Sequence, residues 1–368
     1  VQTLYTDDQN QFRSVVSRFL EAHATTSQAR ELQETASGFD QAVWHQMSGE
    51  LGLVGTHLPE AYGGFGFGMI ELGIVLEEMG RRLYCGPFFS SAVLSGLAVA
   101  ELADEAYKIE LLPKIASGEE RVALVLDDLN QVEGIGHQLM ISDQGLLSGT
   151  APMVIDGLSA QRLLVIAGSA TGLGLYQVDK GAQGLSITPR ASVDQTRKLA
   201  EVVFVDTATQ FVGRVSPEAL NRFWDLASVA LSHEMIGGAE RLLEDTIAYT
   251  KMRVQFGRPI GSFQAIKHRC ADLLLTLEFA KAATQHVSFS LAAGEEEKHH
   301  PSMVKAMVSD CYRDIAIAAI QLRGGIGFTW ENDTHLWFRR AKCSEVLLGT
   351  PSYHRERMIQ SLGGQDAA

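Results

Sequence analysis

The feature that most constrains this chain is a double change of residue pattern. Apolar residues recur at helical spacing up to about residue 115, short β-branched runs replace them from about 120 to 208, and long helical patterns return at Pro217. One kind of element cannot satisfy both periods, so the pattern predicts a helical region, a β region and a second helical region. In the first region Phe12, Val15, Val16, Phe19 and Leu20 share one face of a helix over 9–21. Further helices are expected around 39–51 and 69–82, separated by the breaker-rich loop 59–66. The run 92–102 is apolar almost all round, which predicts burial. The segments 122–126, 161–167, 174–178 and 201–205 read as strands of a small antiparallel β domain. Ser216 and Pro217 are start signals for a helix over 217–252. Helices over 263–293 and 301–322 and a last helical region over 333–362 follow, with the charged segment 294–300 as a solvated loop. Four long helices joined by loops predict a bundle. The fold class is therefore mainly α with a central β domain, divided as 1–118, 119–210 and 211–368.

A length of 368 residues suits two or three domains, and 46% hydrophobic content with 20% charged residues suits a globular protein with a large core. The net charge of −13 argues against nucleic acid or an anionic membrane as the main partner, because both attract basic surfaces. Basic residues held locally still permit an anionic ligand. No apolar run is long enough to span a bilayer, and the polar N-terminus, with Asp7 and Asp8 early, does not read as a signal peptide. Cys85, Cys270, Cys311 and Cys343 are far apart, so reduced thiols in a cytoplasmic protein are expected rather than a metal or redox site.

Two short segments point beyond a generic bundle. Gln321-Leu-Arg-Gly-Gly-Ile-Gly-Phe328 places three glycines just past a helical run. One glycine there would be an ordinary C-cap, but three in four residues allow a backbone to approach a ligand closely. The stretch follows a helix rather than a strand, so it is no Rossmann fingerprint. Arg253-Val-Gln-Phe-Gly257 closes the first bundle helix. An arginine there is favoured by the helix dipole alone, yet its planar fork also suits a pyrophosphate.

Together these segments resemble the Q-x-x-G-G-x-G-F and R-x-x-F-G signatures of the acyl-CoA dehydrogenase family, and the following 330–341 stretch is similar to that family's continuation. The helical, β, helical order also matches, so the resemblance covers essentially the whole chain. It implies an N-terminal helical domain, a β-barrel-like middle domain and a C-terminal four-helix bundle. It also implies that Arg253, Gln255, Phe256, Gln321, Gly324 and Gly325, with Gln264 beside them, hold the adenosine and pyrophosphate end of FAD bound to a neighbouring subunit.

Other family elements are missing. The family's T-E-P-x-x-G-S-D loop, which contacts the flavin ring, corresponds to Val122-Ala-Leu-Val-Leu-Asp-Asp-Leu-Asn130, and its K-x-W-I element to Thr150-Ala-Pro-Met-Val-Ile-Asp156, without a Trp. Family chemistry needs a carboxylate to remove the α proton of a thioester while hydride leaves the β carbon for the flavin. The usual Glu before Gly-Thr is Leu348 here, and the alternative position in the first bundle helix falls near Ala227, between Leu226 and Ser228. Glu345, one helical turn before Leu348, and Glu234 remain as displaced candidates, each read first as a partly buried, hydrogen-bonded structural carboxylate. Thr350 and Ser352 stand where the family's T-x-Q meets the adenine side of its own FAD.

The resemblance thus implies the non-catalytic subunit of a heteromeric acyl-CoA dehydrogenase, similar to bacterial heterotetramers, two copies each of two similar chains, that act on steroid side-chain CoA thioesters. Its implied partners are a homologous catalytic subunit, an acyl-CoA substrate and an electron-transfer flavoprotein. A homo-oligomeric enzyme with a relocated base, a non-redox protein of the same fold that stabilises a partner, and a flavin-dependent hydroxylating relative stay open on sequence alone.

Overall fold

The computed structural model describes residues 5–363; the outermost positions of the first and last expected domains, 1–4 and 364–368, lie outside them. Helices α1 (Asp7–His23), α2 (Thr26–Gln33), α3 (Gln41–His45), α4 (Met69–Arg82), α5 (Gly96–Leu102) and α6 (Glu105–Ala116) come first. Strands β1 (Val122–Val125), β2 (Met140–Ile141), β3 (Leu146–Ile155), β4 (Arg162–Ser169), β5 (Gly172–Asp179), β6 (Leu185–Arg190), β7 (Leu199–Ala208) and β8 (Gln210–Arg214) follow. Then come α7 (Pro217–Met252), a small hairpin of β9 (Val254–Gln255) and β10 (Arg258–Pro259), α8 (Gln264–Ala293), α9 (His300–Arg323), α10 (Thr334–Val346) and α11 (Pro351–Ser361). This is the expected helical, β, helical order. The chain forms two compact units, neither of them continuous in sequence. One contains Arg30–Glu71 and Cys85–Ala227, the other the chain up to Ala29, Leu72–Tyr84 and Ser228 onward.

The first unit is built on one eight-stranded sheet in the order β6-β7-β3-β2-β4-β5-β8, with β1 also paired to β4. Val125, Leu139, Leu147, Val165, Val178, Val202 and Phe204 form its core. Most pairs are antiparallel, but β1 runs parallel to β4, Val122 opposite Arg162 through Val125 opposite Val165, and β2 meets β4 in parallel at Met140 and Gly168. The purely antiparallel expectation is therefore corrected to a mixed sheet. The reason is visible in β1 itself: a continuous apolar run, buried along its whole length, is the pattern of a strand covered on both faces. The run expected to be buried is so, as π-helical turns over Phe88–Ser95 continuing into α5. Its serines serve β1, since Ser91 Oγ accepts from Val122 N at 3.1 Å and Ser95 Oγ donates to Val122 O at 2.9 Å.

The second unit is the bundle. Ser216 Oγ accepts from Ala219 N at 3.1 Å, so the expected start signal of α7 operates. Within this unit α4 and α7 touch backbone to backbone: a Cβ on Gly237 would lie 1.8 Å from Glu77 O. Beside that contact sits a buried polar network. Glu77 bonds His233 Nδ1 at 2.8 Å and Arg13 Nη2 at 2.6 Å, and His233 Nε2 meets Ser288 Oγ at 2.7 Å. Burial alone would raise the Glu77 carboxyl, but His233 and Arg13 outweigh it and hold it down at about 2. The expected loop spans 294–299, exposed over Gly294–Lys298, with His300 already in α9, and the last helical region is two helices, α10 and α11, broken at Leu347–Thr350.

Candidate functional site

Each residue expected to meet FAD lies on the surface of the bundle unit. Past the end of α7, β9 and β10 pair with Gln255 opposite Arg258, and the turn between them has φ of +56° at Phe256 and +78° at Gly257. Two successive positive φ values make the tight primed turn that matches strand twist, and Phe256 adopts it against the preference of a bulky side chain. That residue is 92% exposed, so strain and exposure coincide at one aromatic. Arg253 and Gln255 are exposed too, and among the described residues Arg253 makes no ion pair. Gln264 is the first residue of α8, whose N-terminus has no side-chain cap and no acidic residue in its first turn. Exposed Lys267 and Arg269 follow on the same helix. An uncapped helix start beside unpaired cations favours an anion.

The glycine turn closes α9. Gly324 has φ +64° and ψ −143°, a conformation that requires glycine. Gly325 has an ordinary φ, and a Cβ there would meet nothing within 4 Å. Nothing in this chain therefore demands glycine at 325, whereas Gly327 is confined by Ile320 O at 2.9 Å from its Cβ position. Gln321 is exposed, as are Phe328 and Trp330, at 75% and 59%.

A residue that sequence reasoning missed brings the two segments together. Arg323, immediately before Gly324, donates from Nη1 to Thr246 Oγ1 at 2.8 Å and stacks 5.3 Å above the ring of Tyr249, both on the last turns of α7. Tyr249 O in turn accepts from Arg253 N at 2.9 Å. The only signal in the sequence was a cation inside the glycine signature.

The position that the resemblance assigns to the base is closed. Leu348 is fully buried, with φ +58°. Its carbonyl bonds His354 Nε2 at 2.8 Å, and Lys305 Nζ donates to Gly349 O at 2.9 Å. The face argument for Glu345 does not survive, because α10 ends at Val346 and Leu347 is extended, with ψ 132°. Glu345 is instead bonded to Arg313 Nη1 at 3.2 Å and to Lys342. Glu234 is buried against Arg340 Nη1 at 2.7 Å. Ala227 and Ser228 on α7 are fully buried, and neither side chain is a carboxylate. Thr350 Oγ1 accepts from Tyr353 N at 3.2 Å and caps α11, a local reason for a threonine there.

In the two segments that the resemblance aligns with flavin-ring contacts, the aspartates are held by donors of this chain. Asp127 is buried and accepts from Gly136 N at 3.0 Å and Gln138 N at 2.8 Å, so its loop closes on its own carboxylate. Just past β3, Asp156 is buried with φ +54° and accepts from Ser90 Oγ at 2.6 Å. The exposed Arg253, the uncapped start of α8 and the open backbone at 324–325 suit the pyrophosphate end of a dinucleotide, whereas Asp127 and Asp156 are already engaged by donors of this chain.

This architecture is that of the acyl-CoA dehydrogenases. A solved steroid acyl-CoA dehydrogenase, the Tcur3481–Tcur3483 G363A variant, superposes with a TM-score of 0.87 at 27% identity, over 98% of this chain and 99% of that one. The ChsE4–ChsE5 complex of Mycobacterium tuberculosis shares the fold at a TM-score of 0.88, with 24% identity over 99% of both chains. The chain belongs to the acyl-CoA dehydrogenase family, a family of FAD-binding oxidoreductases: the family's N-terminal domain matches 6–119 and its C-terminal domain 222–363. It is 30% identical over 353 residues to the acyl-CoA dehydrogenase IpdE2 of Mycolicibacterium smegmatis, covering 96% of this chain and 98% of that protein. Among the described residues no helix is long and apolar enough to cross a membrane.

Proposed function

We propose that this chain is the non-catalytic subunit of a heteromeric, FAD-dependent acyl-CoA dehydrogenase. Arg253, Gln255, Phe256, Gln264, Gln321, Gly324 and Gly325 complete the FAD site of a homologous catalytic partner, which supplies the ring contacts and the base. The observation that carries this reading is a contrast within one unit. Leu348 seals the position of the base, while among the described residues Arg253 is exposed and makes no ion pair, and a Cβ at Gly325 would meet nothing within 4 Å. When bound, FAD takes the hydrogen that leaves the acyl β carbon as hydride. This chain's part is to hold the anionic pyrophosphate with Arg253 and to let it approach the backbone at 324–325.

The substrate in this reading is an acyl-CoA thioester, and the likeness to a steroid acyl-CoA dehydrogenase favours a steroid side-chain CoA. The redox partner in this reading would be an electron-transfer flavoprotein. A displaced base is disfavoured because Glu345 would have to leave Arg313 and Lys342, and Glu234 would have to leave a buried arginine. The test is purification of the chain alone and with its partner. The reading expects a colourless chain and a yellow complex; a chain that alone is yellow and oxidises an acyl-CoA refutes it.

A further inference from the structure

Among the described residues Arg323 is a buried cation, 9% exposed, without a direct ion pair. The nearby Asp245 is engaged by Arg241 at 2.9 Å. Burial lowers the guanidinium's pKa, only partly opposed by Asp245 and Tyr249. Its bonds go to neutral groups: Thr246 Oγ1 at 2.8 Å, Ala319 O at 3.2 Å and the face of Tyr249. A buried charge only partly offset by its neighbours is costly, and an apolar side chain would fill the same slot without that cost. The slot lies between the residue that begins the glycine turn and the helix end that carries Arg253, segments about seventy positions apart in sequence.

We propose that Arg323 is the positioning residue of the half-site: it clamps the glycine turn to the end of α7, so that Arg253 and the 324–325 backbone face one pyrophosphate together, and it adds its own positive field there. This rests on the half-site reading above. Neutralisation by the bound anion is what then offsets the cost of burying the charge. The proposal separates from ordinary structural support, because a clamp acts on FAD through Arg253.

The test is a double-mutant cycle on FAD affinity in the assembled complex, using Arg253→Ala, Arg323→Met and both together. Arg253→Ala is expected to weaken FAD roughly ten- to hundredfold, and Arg323→Met about tenfold. The double variant is expected to lose clearly less than the product of the two, since coupled residues are non-additive and distant ones are not. Arg323→Lys, which keeps the charge but not the planar fork, should recover part of the loss. If Arg323→Met does not assemble, Thr246→Val removes the acceptor and takes its place in the cycle. Multiplicative losses, or an effect of Arg253→Ala with none of Arg323→Met or Thr246→Val, overturn the clamp and leave the half-site standing. Unchanged affinity on Arg253→Ala removes the half-site itself and the clamp with it.

Discussion

Lys305→Met tests how the loop around Leu348 is held. Lys305 is fully buried in α9 and donates to Ser309 Oγ at 3.1 Å, Glu345 O at 3.3 Å and Gly349 O at 2.9 Å. Two of these acceptors are carbonyls at the end of α10 and in the break beside Leu348, so one ammonium replaces the helical bonds that the break removes. Burial pushes that ammonium down to about 7, with Glu345 opposing the shift. A lysine in an unfolded chain titrates near 10.4 (about). Between those values the unfolded chain holds a proton that the folded chain has shed, so Lys305 makes stability rise with pH over that window and withholds the gain below it. A full proton difference is worth about 1.4 kcal/mol per pH unit. His354, packed against the same loop, is pushed down to about 3 by burial and then by Lys305, so it stays neutral in this window. The Cys311 thiol, pushed up to about 12 by burial, has the opposite sign at high pH, and comparison with the variant subtracts it. The assay is urea denaturation of wild type and Lys305→Met between about pH 7 and pH 9. Wild type should gain on the variant by roughly 1 kcal/mol per pH unit. Parallel curves would show that Lys305 stays charged in the fold and would refute the reasoning.

Three other outcomes are expected. Arg253→Ala should leave folding intact and weaken FAD retention in the complex about ten- to hundredfold, read by flavin fluorescence on dilution, since a charge-assisted bond is worth about 1.5–3 kcal/mol. Arg340→Met leaves Glu234 charged and buried, and should cost about 3–5 kcal/mol in urea denaturation, with most of it recovered when Glu234 is also replaced by Leu; a cost under about 1 kcal/mol would mean the pair is not buried as described. Leu348→Glu should create no second active site and should lower stability, because a carboxylate would enter a fully buried position. A doubled turnover per complex in that variant would contradict the account.

Much of this was legible in the sequence because the strongest signals are local. The period change at about 120, the Ser216–Pro217 start and the apolar 92–102 run each reflect a short-range rule, and each appears in the structure. The parallel pairing of β1 was misjudged because register partners forty residues apart leave no local mark, although the uninterrupted apolar run carried a hint. The Glu345 face argument assumed that a helix continued through 347–350, whereas Leu348 takes a left-handed conformation that periodicity does not reveal. The Arg323 clamp escaped for a similar reason. An arginine on a helix end reads as a dipole partner until Thr246 and Tyr249 are seen beside it.

The central claim is that one chain of a pair binds the flavin ring and this chain does not. The direct measurement is the FAD content of the purified complex, from absorbance after denaturation against the protein content of each chain. The account predicts one FAD for every pair of unlike chains. One FAD for every chain would mean that this subunit holds a flavin of its own, and the half-site account would be wrong.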